Sequence, residues 1–285
     1  MRDNLFNTGI RPAIDDYLDK KRAEKRDYGD YWSASSAGYC MRKVIFERLG
    51  VPPIKVDGDE RKQRVFEAGH IFHGWIQDIT KNAGLSIAQE LEVQDEELMI
   101  RGHIDDLVLI KGELPDELGQ EHDEVHGLSA TPADDHLILY DYKTVHSKSF
   151  HWAKKSGSKM SHYHRYQLGT YMYMLRSGAW PKTAITEAGA MIKDLAESRI
   201  LKLSKDDLCM DEQQLMWSKE LEKDIVDYWT RLNKYWKDKK LPPCTCDKHE
   251  GGFMAKPNYN PYYYAGEPCS IEYYKKWKKE KANAK

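Results

Sequence analysis

The chain has 285 residues, of which 32% are charged, yet its formal net charge is only −2. That balance excludes the global basic excess of a protein that coats nucleic acid, so any nucleic-acid surface must be local. The hydrophobic share of 40% is sufficient for a sizeable core, and the length suggests one large domain or one domain with an appendage.

Neither the apolar runs nor the start of the chain predicts a membrane protein. No stretch of about 18 apolar residues is present, so no membrane span is expected. The first residues lack the apolar core of a signal peptide, and we therefore expect a cytoplasmic protein. In a reducing compartment, five cysteines favour metal or cluster ligation over disulfides.

The first half of the chain predicts helices followed by strands. A charged helix is predicted over residues 13–28, and a second helix ends at Pro52-Pro53. A further helix is predicted over 61–83. Apolar alternation then predicts strands over 87–93, 98–110 and 136–145. The acidic segment 111–135 is expected to be a flexible insertion at a hairpin tip.

The second half predicts further helices around two more strands. Residues 146–160 are basic and aperiodic, so a loop is expected there. The remaining predicted elements are a helix at 161–177, strands at 184–193 and 198–204, a helix at 211–239 and a frayed tail. This order predicts an α/β fold with a central mixed sheet flanked by helices. We expect three parts: an N-terminal helical segment (1–60), a core (61–205) and a C-terminal helix with a cysteine-containing tail (206–285).

The predicted strand Leu137–Val145, "LILYDYKTV", ends in charges on a face that begins apolar. Alternate residues of a strand share a face, so Asp141 and Lys143 point the same way as Leu139. An isolated D-x-K is most often a simple ion pair at a strand end. Asp105 on the preceding strand is expected to meet Asp141, and adjacent carboxylates repel unless a cation lies between them. A hard ion such as Mg²⁺ suits these oxygens, with Lys143 beside it.

The helix predicted over 61–83 offers a further candidate ligand. Apolar residues at helical spacing define one of its faces; His73 lies at the edge of that face, while His70 falls on the opposite side. An edge histidine can reach a site beside the core, and a solvent-facing one cannot. A purely structural histidine is the alternative for His73.

A basic and aromatic segment follows the D-x-K strand. Its rings include Trp152 and Tyr163, and basic residues interleaved with rings suit a phosphate backbone and stacked bases. A solvated loop is the alternative. The candidate nucleic-acid contacts are Lys148, Lys154, Lys155, Lys159 and Arg165. On the next helix, Gln167 and Tyr171 lie four residues apart and share a face.

These motifs, taken in order, resemble those of the PD-(D/E)XK nuclease superfamily. They are Gly69 to His73, "GHID" with Asp105, "DYK" with Asp141 and Lys143, and "QLGTY" with Gln167 and Tyr171. The last is similar to the Q-x-x-x-Y element of the RecB/AddB branch, which includes iron–sulfur CRISPR-adaptation nucleases and phage exonucleases. The resemblance covers about residues 33–180. The acidic insertion at 111–135 is long for the family.

The resemblance implies a restriction-endonuclease-like core over 61–205 and a metal-dependent DNA exonuclease that acts on single strands or DNA ends. Recombination, repair, phage DNA processing and CRISPR adaptation are the implied processes. The cofactor implied is Mg²⁺ or Mn²⁺, bound by His73, Asp105 and Asp141. Lys143 would activate water, while Gln167 and Tyr171 would hold the site and the strand. Glu90 is a candidate extra acid for a second metal or its waters.

The cysteines extend the resemblance beyond the core. Members of this branch often carry a 4Fe–4S cluster, with one ligand before the core and three after it. The matching residues are Cys40, Cys244, Cys246 and Cys269. Four thiolates are the right number for a cluster, but C-x-C followed by a long gap differs from the family's compact spacing. Zinc in the same four sites and unligated thiols are the alternatives, and Cys209 is expected to be a plain thiol.

Two other functions fit parts of the sequence. A non-catalytic DNA-end-binding recombination accessory would keep the fold, although the complete D…D-x-K set argues against it. A site-specific endonuclease is the other, and the Q-x-x-x-Y element argues against it because it resembles end-resecting relatives. The sequence leaves the polarity of digestion, the pathway and the oligomeric state open.

Overall fold

A six-stranded mixed sheet with helices on both faces forms the framework of the chain in the computed structural model. The structure describes residues 10–23, 29–54, 59–112, 135–155, 157, 159–181, 189–247, 256 and 260–283. The predicted α/β class with a central mixed sheet is confirmed. Within these residues, no helix has the length and apolar character needed to cross a bilayer.

The sequence predicted helices, a strand meander, one helix, two more strands and a helical end; the structure has the first helices, the meander and the helical end, but it places more than one helix between the meander and its last two strands. The helices are α1 Ile10–Ala23, α2 Met41–Leu49, α3 Asp59–Asn82, α4 Ser147–Lys155, α5 His162–Arg176, α6 Gly189–Lys193, α7 Lys219–Lys237 and α8 Ile271–Asn283. The strands are β1 Trp32–Ser33, β2 Ser86–Asp95, β3 Ile100–Ile110, β4 His136–Val145, β5 Glu197–Ser204 and β6 Met210–Met216.

The pairing of β3 leaves an opening in the sheet. Strand β2 lies along one side of β3, and β4 pairs with the other side from Asp106 to Ile110. The short β1 pairs with β3 only at Ile100 and Arg101. A strand has two sides, so β1 and β4 share one of them at different heights. Residues 102–105 of β3 therefore have no paired strand residue on that side within the described part of the chain, and the candidate site lies there.

Both faces of β4 are buried over most of its length. Leu139 packs into the larger core, which also contains the fully buried Trp229 of α7. Tyr142 packs on the opposite face against a smaller cluster with Ile76 of α3. Asp141 is itself buried on this strand, so its carboxylate must find partners within the protein.

A separate small core joins α2 to the C-terminal residues. The ring of Phe46 stacks on Tyr274 of α8 with centroids 5.2 Å apart and meets Tyr262 edge-on at 5.4 Å. Cys246 and Cys269 are buried in the same cluster. The sequence predicted a frayed end from Lys275 onward, and this prediction is wrong for residues 275–283, because they belong to α8, whose aromatic residues pack against this core.

Three predictions of local structure are corrected. The loop expected at 146–160 contains α4, which buries only Phe150 among its large side chains and so has no apolar periodicity. The strand expected at 184–193 is helical at Gly189–Lys193, and 184–188 lie outside the described residues. The helix expected from residue 211 begins at Lys219. The preceding residues form β6, a polar strand that pairs with β5 and has no second partner strand among the described residues.

Two further predictions fall partly on segments that the structure does not describe. Strands β3 and β4 form the expected antiparallel hairpin, but most of the predicted insertion, residues 113–134, lies outside the described residues. The helix predicted over 13–28 corresponds to α1, which begins at Ile10 and ends at Ala23; residues 24–28 are outside the description.

Candidate functional site

Asp105 and Asp141 come together where the β3–β4 ladder ends. The last backbone pair joins Asp106 to Tyr140, and beyond it the two strands separate. The backbone N–H of Tyr142 donates to Oδ2 of Asp105 at 2.8 Å. The Asp105 carboxylate thus replaces the carbonyl acceptor that a continuing ladder would have supplied, which fixes its position beside β4.

Asp141 is almost completely buried, at 2% exposure. Two donors, one ammonium and one side-chain amide, contact its carboxylate. The Lys143 ammonium lies 2.9 Å from its Oδ1 and 2.8 Å from its Oδ2. Gln167 on α5 donates its amide to Oδ1 at 2.8 Å. Burial raises the pKa of Asp141 to about 6, although the charge of Lys143 partly opposes that increase.

His73 reaches the site from α3. Its Nε2 lies 3.1 Å from Oδ2 of Asp105 but does not meet hydrogen-bond geometry, so this buried nitrogen has no hydrogen-bond partner among the described residues. Burial lowers the pKa of His73, yet the Asp105 carboxylate outweighs burial and the net shift is upward. His70 is exposed and lies 3.5 Å from Glu67. The two histidines therefore occupy the positions that the helical face predicted.

A pocket of ligand atoms forms around Asp105. Ligand atoms of His73, Glu90 and Asp105 all lie within 4.8 Å of one another. Glu90 has a φ of +48°, the left-handed region, and its Oε1 accepts the amide of Gln77 at 3.1 Å. Gln77 lies one helical turn after His73, and its amide also contacts the carbonyl oxygen of Asp105 at 2.9 Å.

These donors fit a divalent cation. Two carboxylates and an imidazole converge on one region, and the inward-facing Nε2 of His73 lacks a hydrogen-bond partner within the described chain. Oxygen-rich sites with one nitrogen suit Mg²⁺ or Mn²⁺. Asp141 lies beside this group, but Lys143 and Gln167 already contact its carboxylate.

The Lys143 side chain is partly exposed, whereas Tyr171 is buried. Burial lowers the pKa of the Lys143 ammonium, but the charges of Asp141 and Asp105 outweigh it, so the net shift is upward.

The ring of Tyr171 is buried in the main core. A Cβ added to Gly102 would lie 2.8 Å from that ring, so only glycine allows Tyr171 to support β3 from behind. Tyr171 thus contacts the strand that carries Asp105.

A cleft of about 540 Å³ opens beside Lys143 and Gln167. Two of its other lining residues, Tyr163 and His164, belong to the basic and aromatic segment that the sequence had indicated. The sequence interpretation missed the remaining ones, which are Ser33, Ser35, Ser36, Tyr39, Lys43 and Glu47. Tyr39 stacks on Tyr163 with centroids 4.5 Å apart, and the Lys43 ammonium lies 4.1 Å from the Tyr39 ring centroid. The four-residue spacing of Tyr39 and Lys43 could have indicated that the two side chains lie together. It could not have indicated that they lie near β4, because that proximity is a tertiary contact.

The proposed nucleic-acid residues surround the start of α5 and the helix α4. Four of them, Lys148, Lys154, Lys155 and Lys159, are exposed. Trp152 on α4 is 70% exposed. Arg165 instead pairs with Asp224 at 3.1 Å. His164 lines both the cleft beside Lys143 and a second cavity of about 410 Å³ that Lys154 borders, which connects α4 with the site.

The four cysteines predicted to share a centre do converge. The sulfurs of Cys40, Cys244, Cys246 and Cys269 all lie within 4.8 Å of one another, closer than the 7 Å limit expected from the sequence. The shortest separations are 3.8 Å for Cys40 and Cys244 and 3.5 Å for Cys246 and Cys269. Contacts with the other thiols, the largest from Cys244, lower the pKa of Cys40.

Two backbone or amide donors point at these sulfurs. Asn260 donates its amide to Cys246 at 3.3 Å, and the Thr245 N–H donates to Cys40 at 3.4 Å. Such donors stabilise thiolates. The donor set therefore fits a metal centre. A single tetrahedral ion with bonds of about 2.3 Å to sulfur separates its ligands by roughly 3.8 Å, which agrees with the two short separations.

The comparisons with known proteins give a fold-level likeness only. No protein-family model matches the chain, and no curated protein matches it. The solved structure of SSO0001 is 12% identical, with a TM-score of 0.43, covering 84% of this chain and 90% of its own. An alkaline exonuclease (LHK-Exo) from Laribacter hongkongensis is 13% identical, with a TM-score of 0.40, covering 74% of this chain and 93% of its own. At these TM-scores, neither likeness carries an argument about what this chain does.

Proposed function

We propose that the protein is a metal-dependent deoxyribonuclease that degrades DNA from its ends. The observation that carries the proposal is the pair formed by Asp141 and Lys143, which lies beside a second carboxylate, that of Asp105. The imidazole of His73 lies next to the same Asp105 carboxylate. A structural ion pair requires neither the second acid nor a buried imidazole nitrogen that lacks a hydrogen-bond partner among the described residues. The same residues carry the resemblance to the PD-(D/E)XK nucleases.

The metal would be Mg²⁺ or Mn²⁺. His73, Glu90 and Asp105 would hold it, with Asp141 adjacent. When bound, such an ion lowers the pKa of water and neutralises charge on a phosphate. The sequence interpretation offered Glu90 only as an extra acid for a second metal or its waters. Because Glu90 lies close to Asp105 and His73, we give it the same standing as a metal ligand that Asp141 has.

The chain's own residues supply position and charge. Asp141 and Gln167 fix the Lys143 ammonium at the wall of the cleft, where it would face a phosphate oxygen and stabilise negative charge as a water oxygen bonds to phosphorus. Tyr171 supports β3 from the core side and so keeps Asp105 in place. Neither Gln167 nor Tyr171 needs to react; both are positioning residues.

The substrate proposal rests on the surfaces around the cleft. Exposed lysines and Trp152 of α4 lie next to the strand end that carries Lys143, and such a mixture suits a phosphate chain with unstacked bases. The Tyr39–Tyr163 pair lines the cleft itself. These features favour a single strand or a frayed end as the substrate.

The four cysteines would hold a metal centre that joins the N-terminal segment to the tail. Their sulfur separations match one tetrahedral ion such as Zn²⁺, whereas a 4Fe–4S cluster binds each cysteine through a different iron and needs the sulfurs farther apart. The division into segments 1–60, 61–205 and 206–285, the cytoplasmic location and the iron–sulfur assignment stay predictions from the sequence.

The test is a comparison of linear and covalently closed circular DNA, with Mg²⁺, with Mn²⁺ and with a chelator. We expect the purified protein to shorten linear DNA only when the divalent ion is present, and to leave closed circles intact. Asp105→Asn should remove the activity while preserving the fold. Binding of ends without cleavage would support the accessory function, and cutting of closed circles would support the endonuclease.

A further inference from the structure

A second group of ligand-type side chains lies on the surface, away from the two centres already described. It consists of His151 on α4 together with Asp207 and Cys209 on the turn between β5 and β6. One ligand atom from each lies within 4.8 Å of the other two, and all three residues are exposed. The sequence interpretation placed His151 in the basic and aromatic segment, expected an ordinary thiol at Cys209 and gave Asp207 no role.

Backbone contacts hold the three side chains in a defined relation. The N–H of Cys209 donates to Oδ1 of Asp207 at 3.3 Å, and the carbonyl oxygen of Cys209 accepts from Ser204 at 2.9 Å. The N–H of Ser147, the first residue of α4, donates to Asp206 of the same turn at 2.8 Å. The start of α4 and the turn are therefore already in contact, which brings His151 to the turn.

The simplest explanation of part of this group is an ion pair, because Nε2 of His151 lies 2.6 Å from Oδ2 of Asp207. An ion pair does not account for the third member. Cys209 is the exposed one of the five cysteines, and its sulfur reaches both partners. A free surface thiol is prone to oxidation, so its position beside an imidazole and a carboxylate is informative.

The chemistry of the donors selects a class of ion. Thiolate and imidazole are borderline-soft ligands that Mg²⁺ and Ca²⁺ do not favour. Zn²⁺ binds sulfur, nitrogen and oxygen at about 2.0–2.3 Å, and three protein ligands plus water is a common zinc arrangement. Ligand atoms within 4.8 Å of one another are within reach of one such ion after small side-chain rotations.

We infer that His151, Asp207 and Cys209 form a surface site for Zn²⁺ or a similar divalent transition-metal ion. The ion forms bonds to Nε2, to a carboxylate oxygen and to sulfur; the thiol proton leaves to solvent and water fills the fourth position. Occupation would fasten α4 to the β5–β6 turn and so fix the exposed lysines of α4. The inference does not depend on the proposed nuclease activity.

The experiment follows Cys209 itself, so that the four-cysteine centre does not interfere. The full-length protein is dialysed against a chelator, then alkylated with iodoacetamide with and without added Zn²⁺, and the rate at Cys209 is read from its own peptide. We expect roughly tenfold slower alkylation of Cys209 when Zn²⁺ exceeds the dissociation constant about tenfold. Mg²⁺ at the same concentration should not protect the thiol.

Two variants test the ligand set. His151→Ala and Asp207→Asn change exposed side chains, and each should largely remove the zinc protection of Cys209. His70→Ala, an exposed histidine on α3, is the matched control and should retain it. Unchanged alkylation of the wild type in Zn²⁺ would overturn the inference. Full protection in both His151→Ala and Asp207→Asn would also overturn it, because the thiol would then bind zinc without them.

Discussion

The Lys143 ammonium lies 2.8 Å from Oδ2 of Asp141, two residues earlier on the same buried strand. We expect Lys143→Ala to reduce DNA cleavage by about 10²–10³-fold, because it removes the positive charge that would face the phosphate. DNA affinity should change little, since the exposed lysines of α4 supply the long-range attraction. Cleavage rates and equilibrium binding of the same linear DNA measure the two effects. Wild-type cleavage by a folded Lys143→Ala protein would contradict the assignment.

The two histidines of α3 provide an internal comparison for metal binding. His73→Ala should weaken Mn²⁺ binding and cleavage, because Nε2 of His73 faces Asp105 and Glu90. His70→Ala should change neither, because that ring is exposed beside Glu67. Titration of Mn²⁺ into each variant, followed by a cleavage assay, measures the difference. Equal losses in both variants would place the metal elsewhere.

The salt dependence of DNA binding tests whether the lysines on and just after α4 contact DNA. Replacing Lys154, Lys155 and Lys159 with Ala should weaken DNA binding and flatten its dependence on salt. Each lost phosphate contact lowers the log–log slope by roughly 0.7–0.9. The matched control removes the same charge from α8 by replacing Lys275, Lys276 and Lys279 with Ala. The proposed surface is wrong if the α8 variant loses as much slope as the α4 variant.

The cysteine centre is tested by one residue inside it and one outside it. Cys40→Ala should release the bound metal and lower the free energy of unfolding by on the order of several kcal/mol, because structural metal binding contributes directly to folding. Cys209→Ala should do neither in protein dialysed without added metal. Elemental analysis and thermal melting measure both effects. One ion per chain would indicate zinc, and four irons with visible absorbance would indicate the cluster.

The lowered pKa of His164 predicts how the stability of the protein depends on pH. Burial, aided by the charges of Lys143 and Lys202, lowers its pKa to about 3, and the same residue in the unfolded chain has a pKa near 6.5. Between those values the unfolded chain binds a proton that the folded protein does not, so stability falls as pH decreases from ~6.5 towards ~3. The slope from this residue is at most about 1.4 kcal/mol per pH unit.

Replacing His164 with Gln should remove that part of the pH dependence. Denaturant unfolding of wild type and His164→Gln between about pH 7 and about pH 5 measures the two slopes. The variant should lose less stability over this interval than the wild type does. Parallel curves would mean that His164 is protonated equally in the folded and unfolded chains.

The strands that carry the acids could be predicted because their signal is local. The alternation in β4 identified both faces, and Asp141, Lys143 and His73 were assigned to the correct sides from periodicity alone. Helix α4 could not be found in this way, since one buried residue, Phe150, produces no period. Strand β6 was hidden for a similar reason, because a polar edge strand resembles the exposed face of a helix.

The rest of the site depends on contacts between distant segments. Glu90 meets Asp105 and His73 through a left-handed backbone residue, which the sequence does not signal for glutamate. Lys43 and Tyr39 reach the cleft because the short helical turn Ala34–Ser36 packs against α5 and Tyr39 stacks on Tyr163, and nothing in their own segment indicates those neighbours. Three serines before Cys40, Ser33, Ser35 and Ser36, also line the cleft, and only the folded chain brings them there.

The sequence separation of 204 residues between Cys40 and Cys244 has a consequence for synthesis. At about 5–20 residues per second, a ribosome needs roughly 10–40 s to go from one codon to the other. Throughout that time Cys40 lacks its three partners, so the four-cysteine group cannot yet join the start of α2 to the C-terminal residues. The acids of β3 and β4 are therefore synthesised well before the group that links the two ends of the chain is complete.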